Sequence, residues 1–238
     1  MSLTNFDGIL LIDKPAGPTS HDIVDIIRNS YRIKKVGHCG TLDPAATGLL
    51  TIVLGKATKL SEKLMSDDKV YVGSMKLGET TNTYDAEGQI ESHQPIPTLS
   101  IDKLQEQANK FLGDQMQIPP MVSAIKINGT PLYKLARKGQ TVDRKERFIH
   151  LYKFLISEYE PPFAWFKVAC TKGTYIRSLA HDFGKALGCG GHLSGLRRTV
   201  SGKFKVSNAT PLEELTTLSP KDLTKRIIPI LKLSALDK

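Results

Sequence analysis

The stretch GHCGTLDPAATGLLTIVLGKATK, residues 37–59, concentrates side chains able to do chemistry. Asp43 is followed by Pro44, which removes a backbone donor, and by the small Ala45, Ala46 and Thr47. Gly37, Gly40 and Gly48 permit backbone shapes that other residues resist, so the aspartate sits on a stiff, close-packed turn. Presented this way, an ionised carboxylate can serve as a nucleophile or a general base. An Asx-type turn, in which Asp43 caps its own backbone, uses the same residues and is the commoner reason for an isolated Asp-Pro pair. The six histidines form no HExxH motif, and Cys39, Cys170 and Cys189 form no CxxC pair. Neither a metal site nor a disulfide framework is therefore expected.

The 238 residues carry a net charge of +9, unevenly placed. Residues 1–125 hold 12 Lys and Arg against 15 Asp and Glu, and residues 126–238 hold 21 against 9. The excess lies in Lys126–Lys153 and Lys167–Lys205, with Tyr133, Tyr152, Phe163, Trp165, Phe166 and Tyr175 within or between them. A solvated basic surface explains charge alone; charge interleaved with aromatic rings points to nucleic acid, through phosphate neutralisation and base stacking. With 40% apolar residues and 24% charged ones the chain is globular rather than disordered. It has no apolar run of membrane-spanning length and no basic N-terminal region of the secretory kind, so a cytosolic location without membrane association is expected.

The elements that must position these residues follow from pattern. Asp7–Asp13 and Leu49–Leu54 read as buried strands, Thr19 or Ser20 caps a helix with Ile23, Ile26 and Ile27 on one face, and Ala57–Met65 is helical. Lys69–Leu77 alternates as a strand with Tyr71 and Met75 on one face. Ser100 caps a helix to about Leu112, stopped by Gly113, and Asn128-Gly129 is the strongest hairpin signal. Strands are expected at about 147–158 and 163–170, and a helix from about Tyr175 to Leu187. Hairpin-connected strands with irregularly interspersed helices predict an α+β domain around a mostly antiparallel central sheet. It covers residues 1–207, with a basic segment at about 119–153, and residues 208–238 follow as a short helical tail.

GHCGTLDPAATGLL resembles the active-site signature of the TruB family of tRNA pseudouridine synthases. The resemblance continues, in the family's order, through DKPAGPTSHD, KVYVGSMKLGETTNTYDAEG, PPMVSAIKINGTPLYKLARKG, KGTYIRSLAHDFGKALG and HLSGLRR. It implies the pseudouridine synthase fold and isomerisation of the T-arm uridine, position 55 of tRNA, to pseudouridine, with neither cofactor nor metal. A monomer with no obligate protein partner is expected. Asp43 matches the catalytic aspartate; attack at C6 of the base, attack at C1′ of the ribose and abstraction of the 2′ proton all remain open to it. Arg177 matches the arginine set against that carboxylate, which would hold its pKa low. Tyr71 matches the active-site tyrosine, Asp85 an acidic neighbour able to pair with Arg177, and Tyr175, Ile176 and Leu196 the lining of the base pocket. His38 resembles the histidine that packs into the RNA. Each also has an ordinary structural reading: core tyrosine, solvated arginine, turn aspartate, core packing, loop histidine. Extruding a stacked uridine costs a few kcal/mol, which contacts to the arm must offset. Lys126, Lys134, Arg137, Lys138, Arg144, Lys145 and Arg147 are candidates for those contacts, together with Arg197 and Arg198.

Two departures stand out. Residues 208–238 are too brief for the C-terminal RNA-binding domain of the PUA type that many members carry, which implies weaker tRNA binding or reliance on the core and its basic segment. Val122 occupies a position where an aromatic residue is frequent, and a local packing change is expected there. A noncatalytic tRNA-folding chaperone, or a synthase directed to another RNA, would use the same binding features. A pure binder has no need of Asp43, Tyr71 and Arg177 together.

Overall fold

Strand Gly8–Lys14 reads GILLIDK, apolar on both alternating faces, and in the computed structural model it is buried on both. The structure describes residues 6–233 except 124, 128, 137, 138 and 141. By its internal contacts the chain forms two compact units, one of residues 1–71 with 196–238 and one of residues 72–195.

In the first unit Gly8–Lys14 lies antiparallel to Thr47–Leu54, from Gly8 opposite Leu54 to Lys14 opposite Gly48. Leu10, Ile12, Leu50, Ile52 and Leu54 face a core completed by Ile23, Val24 and Ile27 of the helix Ser20–Tyr31 and by Leu215, Leu223 and Ile227. The opposite face sets Ile9, Leu11, Leu49 and Val53 against Cys39, Ala57, Leu64 and Phe204. The helical face is Ile23, Val24 and Ile27, with Ile26 only half-buried, a small correction to the expected stripe. Thr19 is the cap: its hydroxyl accepts from Asp22 N–H at 3.1 Å while the Asp22 carboxylate accepts from Thr19 N–H at 2.7 Å.

Val36–His38 pairs antiparallel with Thr47–Leu54, and Arg197 and Arg198 of the strand Gly191–Ser201 run parallel to Thr47 and Gly48. The helix expected from Ala57 opens instead as a 3-10 turn over Gly55–Leu60 before Ser61–Met65 becomes α-helical. Residues 210–229 are more than a tail. Thr210–Pro211 and Ile228–Pro229 pair with the free edge of Gly8–Lys14, before and after the short helices Leu212–Thr217 and Pro220–Arg226.

The second unit orders its strands Lys69–Leu77, Phe163–Cys170, Arg147–Glu160 and Gly113–Gln117, the last two antiparallel pairs running from Leu151–Cys170 to Glu160–Phe163 and from Arg147–Gln117 to Leu151–Gly113. Phe154 touches Phe111, Phe166 and Phe183 at ring-centroid distances of 5.3–6.3 Å. Helix Ile101–Asn109 is capped by Ser100 and ends three residues earlier than the pattern predicts, leaving Gly113, at φ 87°, to begin a strand. Its Gln105 amide bonds Phe154 C=O at 2.9 Å and Ile156 N–H at 2.8 Å, tying the helix to a strand that bulges between Ile156 and Glu158. The hairpin signalled at Asn128-Gly129 forms between Lys126–Ile127 and Thr130–Pro131, with Asn128 itself outside the described residues. Helix Ile176–Ala186 completes the unit. Most strand pairs of both units are antiparallel, in keeping with the α+β expectation. Among the described residues no helix is long and apolar enough to cross a membrane.

Candidate active site

Asp43 is half-buried on the turn joining Val36–His38 to Thr47–Leu54, where Ala46 N–H donates to Asp43 C=O at 3.1 Å and Pro44 fixes the corner. A turn so packed cannot leave its other carbonyls to water, and three side chains take them over. Lys14, fully buried, donates its Nζ to Pro44 C=O at 3.0 Å, Ala46 C=O at 2.7 Å and Pro15 C=O at 2.9 Å. Ser20 Oγ accepts from Leu42 N–H at 2.9 Å and donates to Leu42 C=O at 3.1 Å. Arg198, also buried, donates from Nε to Leu49 C=O at 2.8 Å and from Nη2 to Gly40 C=O at 3.1 Å, with Thr41 C=O at the limit of reach. The aspartate is thus carried on a backbone clamped from both sides by two buried cations and a hydroxyl. Gly48 is required: at φ 98° an added Cβ would lie 2.3 Å from Arg198 C=O.

The other candidates of this unit are held in different ways. His38 is half-buried, its Nδ1 has no hydrogen-bond partner, and burial followed by the positive charges of Arg198 and His21 holds it below the usual histidine range, so the ring is neutral. Tyr71 is buried on its strand. Leu196 is half-buried, its carbonyl near Thr47 Oγ1. Arg197, expected to meet RNA, is forked onto Asp13 at 2.6 and 2.9 Å, and Arg198, expected likewise, is spent on the Asp43 turn. The Cys39 thiol is pushed up to about 11 by burial and stays protonated.

In the second unit Arg177 is buried in the first turn of helix Ile176–Ala186. Its guanidinium donates to Val122 C=O at 2.8 Å and Thr83 C=O at 3.3 Å and lies 3.4 Å from an Asp85 carboxylate oxygen. Asp85 is itself held by Thr83 Oγ1 at 2.5 Å and Glu87 N–H at 3.1 Å. Because Val122 acts through its carbonyl, its departure from an aromatic leaves this contact intact. The Gln117 side-chain amide accepts from Tyr175 N–H at 2.8 Å and donates to Tyr175 C=O at 3.1 Å, and Ser178 Oγ donates to Ile118 C=O at 2.8 Å, fixing the helix start; Tyr175 is half-buried and Ile176 buried there. Of the basic candidates, Lys134, Lys145 and Arg147 are exposed and Arg144 donates to Pro119 C=O at 3.0 Å. Lys126 is placed by its strand alone, and Arg137 and Lys138 lie outside the described residues. Among the described residues no group of three or more His, Cys, Asp or Glu is placed to hold a metal ion.

A family model described as the TruB family pseudouridylate synthase N-terminal domain matches residues 28–176, and the tRNA pseudouridylate synthase B C-terminal domain matches residues 177–232. The chain belongs to the TruB family of tRNA pseudouridine synthases. It is 47% identical over 224 residues to the tRNA pseudouridine synthase B of Opitutus terrae, covering 94% of this chain and 93% of that relative. It is 48% identical over 216 residues to the enzyme of the same name from Francisella tularensis subsp. novicida, covering 90% and 72%. Among solved structures, a Cbf5–Nop10–Gar1 complex contains a chain 33% identical with a TM-score of 0.74, and an H/ACA RNP bound to a substrate RNA containing 2′-deoxyuridine contains one 31% identical with a TM-score of 0.68. This TruB family chain covers 95% and 90% of itself in these matches but only 60% and 54% of those longer chains.

The sequence reading of this TruB family member missed the residues that hold the acid in place. Lys14 carries no signal in the sequence: it ends a strand apolar on both faces, and only the register opposite Gly48 turns it inward. Ser20 reads only as a cap, and in the other unit Gln117 beside Tyr175, Thr83 beside Arg177 and His181 beside Tyr84 have no spacing pattern that marks them.

Proposed function

We propose that this chain isomerises the T-arm uridine at position 55 of tRNA to pseudouridine, with Asp43 attacking or deprotonating the extruded nucleotide and Tyr71 and Arg177 assisting. The observation that carries the reading is the immobilised turn: five backbone carbonyls around Asp43, those of Gly40, Leu42, Pro44, Ala46 and Leu49, are taken by Lys14, Ser20 and Arg198. Preorganisation of this kind lets a carboxylate meet a reacting carbon without first losing backbone entropy. Membership of the TruB family supports the substrate, and the exposed Lys134, Lys145 and Arg147 supply cations for the backbone of the arm. The buried Tyr71 offers a ring on which the base can stack. The reaction draws on no metal or cofactor in this reading, and the enzyme acts as a cytosolic monomer without an obligate partner.

The test is tritium release from an unguided tRNA transcript labelled at C5 of uridine, for wild type and Asp43→Asn, with the product mapped by carbodiimide-stop primer extension. Release by wild type alone and one stop in the T loop are expected. Tight binding without release from either protein would instead favour a binding or RNA-guided role, and equal release from both would remove Asp43 from the chemistry.

A further inference from the structure

Tyr84 sits at φ 65°, in the left-handed region that bulky side chains avoid, in a unit where the other positive-φ residues among those described are glycines. Strain of this kind persists only where surrounding contacts over-determine it. Here Tyr84 N–H donates to Thr81 C=O at 3.2 Å, Tyr84 C=O accepts from Leu193 N–H at 3.0 Å, and the ring lies on the His181 imidazole at a centroid distance of 3.8 Å with the planes 16° apart. His181 is one helical turn beyond Arg177, on the same face. The reversal at Tyr84 turns the two residues flanking it, Thr83 through its carbonyl and Asp85 through its carboxylate, onto Arg177, while the ring between them reaches His181. The segment therefore grips one helix face at two points. The imidazole Nδ1 is buried without a hydrogen-bond partner, so no bond at that nitrogen accounts for the ring's placement. Burial, with the positive charges of Lys185 and Arg144, keeps His181 below the usual histidine range and uncharged, as flat stacking favours.

We infer that the Tyr84–His181 stack is a positioning device for the guanidinium of Arg177, setting the direction in which that cation is presented. The inference rests on the proposed part of Arg177 in turnover. Neither residue touches the reacting atoms; both act through the 83–85 turn.

Single-turnover pseudouridine formation on a T-arm hairpin, together with hairpin Kd and melting temperature, tests it. Tyr84→Gly removes the ring while suiting the backbone, and His181→Ala removes the other half. Each is expected to slow the single-turnover step on the order of 10-fold to 100-fold, the scale of a misplaced catalytic group, with Kd within about threefold. The double variant should be no slower than the worse single variant, because the pair acts as one unit. Tyr84→Phe, which keeps the stack, should retain most of the rate. A merely structural role would move the melting temperature without this non-additive loss and rescue. Wild-type rate in Tyr84→Gly, or losses that multiply in the double variant, would overturn the positioning role. Arg177→Lys, which cannot reproduce the fork, separates the two readings. If it too turns over at the wild-type rate, the role of Arg177 fails; if it is slow while Tyr84→Gly is not, only the stack fails.

Discussion

Replacing Ser20 with alanine deletes one oxygen from a site with almost no solvent exposure. Two bonds go with it, from Leu42 N–H at 2.9 Å and to Leu42 C=O at 3.1 Å, and both backbone groups are left buried. At about 1–3 kcal/mol for each unsatisfied group the loss is roughly 2–6 kcal/mol. The gain from alanine's helix propensity is at most about 0.5 kcal/mol, so a net cost of about 1.5–5.5 kcal/mol remains. Thr19→Ala is the internal control. It removes the bond from Asp22 N–H to the Thr19 hydroxyl at an exposed helix end and keeps the one from the backbone N–H of residue 19 to the Asp22 carboxylate, at a cost of about 1 kcal/mol. Urea titration followed by far-ultraviolet circular dichroism should thus rank Ser20→Ala below Thr19→Ala in midpoint. Turnover per folded enzyme should fall in Ser20→Ala alone, since Leu42 adjoins Asp43. Should Thr19→Ala prove the more damaging, or Ser20→Ala leave the midpoint unchanged, the account of how the turn is held is wrong.

Lys14→Met keeps the length of a fully buried side chain and strips its charge and donors from three carbonyls, so a loss of about 3 kcal/mol or more is expected in the same titration, unrescued by the differently shaped Lys14→Arg. Gly48→Ala forces a Cβ to 2.3 Å from Arg198 C=O, whereas Gly173→Ala, at φ 82°, meets open space. The first should cost at least about 3 kcal/mol and the second only the backbone penalty of about 1–2 kcal/mol, readable as melting temperatures; equal effects would contradict the close approach. His38 and His181 both stand below the ordinary histidine value of 6.5, so the unfolded chain binds protons that the folded one refuses. Their contribution to stability is complete above that value and is lost as pH falls toward the folded values. The urea midpoint should drop between pH 7.5 and pH 5.5, about one unit on either side of the ordinary histidine pKa. The drop should shrink in His38→Asn/His181→Asn.

Much of this fold is legible in the residues because its signals are local. Strand Lys69–Leu77 lies where its alternation ends, Phe163–Cys170 between a Pro pair and a Gly-containing turn, and helix Ile176–Ala186 within one residue of its expected bounds at each end. The failures lie where a distant partner overrides a local preference. Asp7 bonds Lys56 N–H at 2.8 Å and crowds Gly55, and the helix begins there as a tighter turn. The helix after Ser100 stops early because residues 113–117 are claimed by the Arg147–Glu160 strand. The Asp43 turn was visible as glycines, proline and small residues; what grips it was not, because Lys14 and Arg198 read on paper as surface charge. Their burial follows from register: each pairs with Gly48, Lys14 antiparallel and Arg198 parallel.

The strand Gly8–Lys14 also dictates an order of events during synthesis. On one edge it holds Thr47–Leu54, made soon after it, but on the other it holds Thr210–Pro211 and Ile228–Pro229, which leave the ribosome some two hundred residues later. The unit of residues 72–195 is contiguous and can collapse as it emerges, while the unit that carries Asp43 must wait with an open edge and an unfilled core until Leu215, Leu223 and Ile227 arrive. A nascent chain therefore completes the unit that carries Asp43 last, and a ribosome stalled before residue 210 displays a bare apolar strand, GILLID, with an unpaired edge open to other chains.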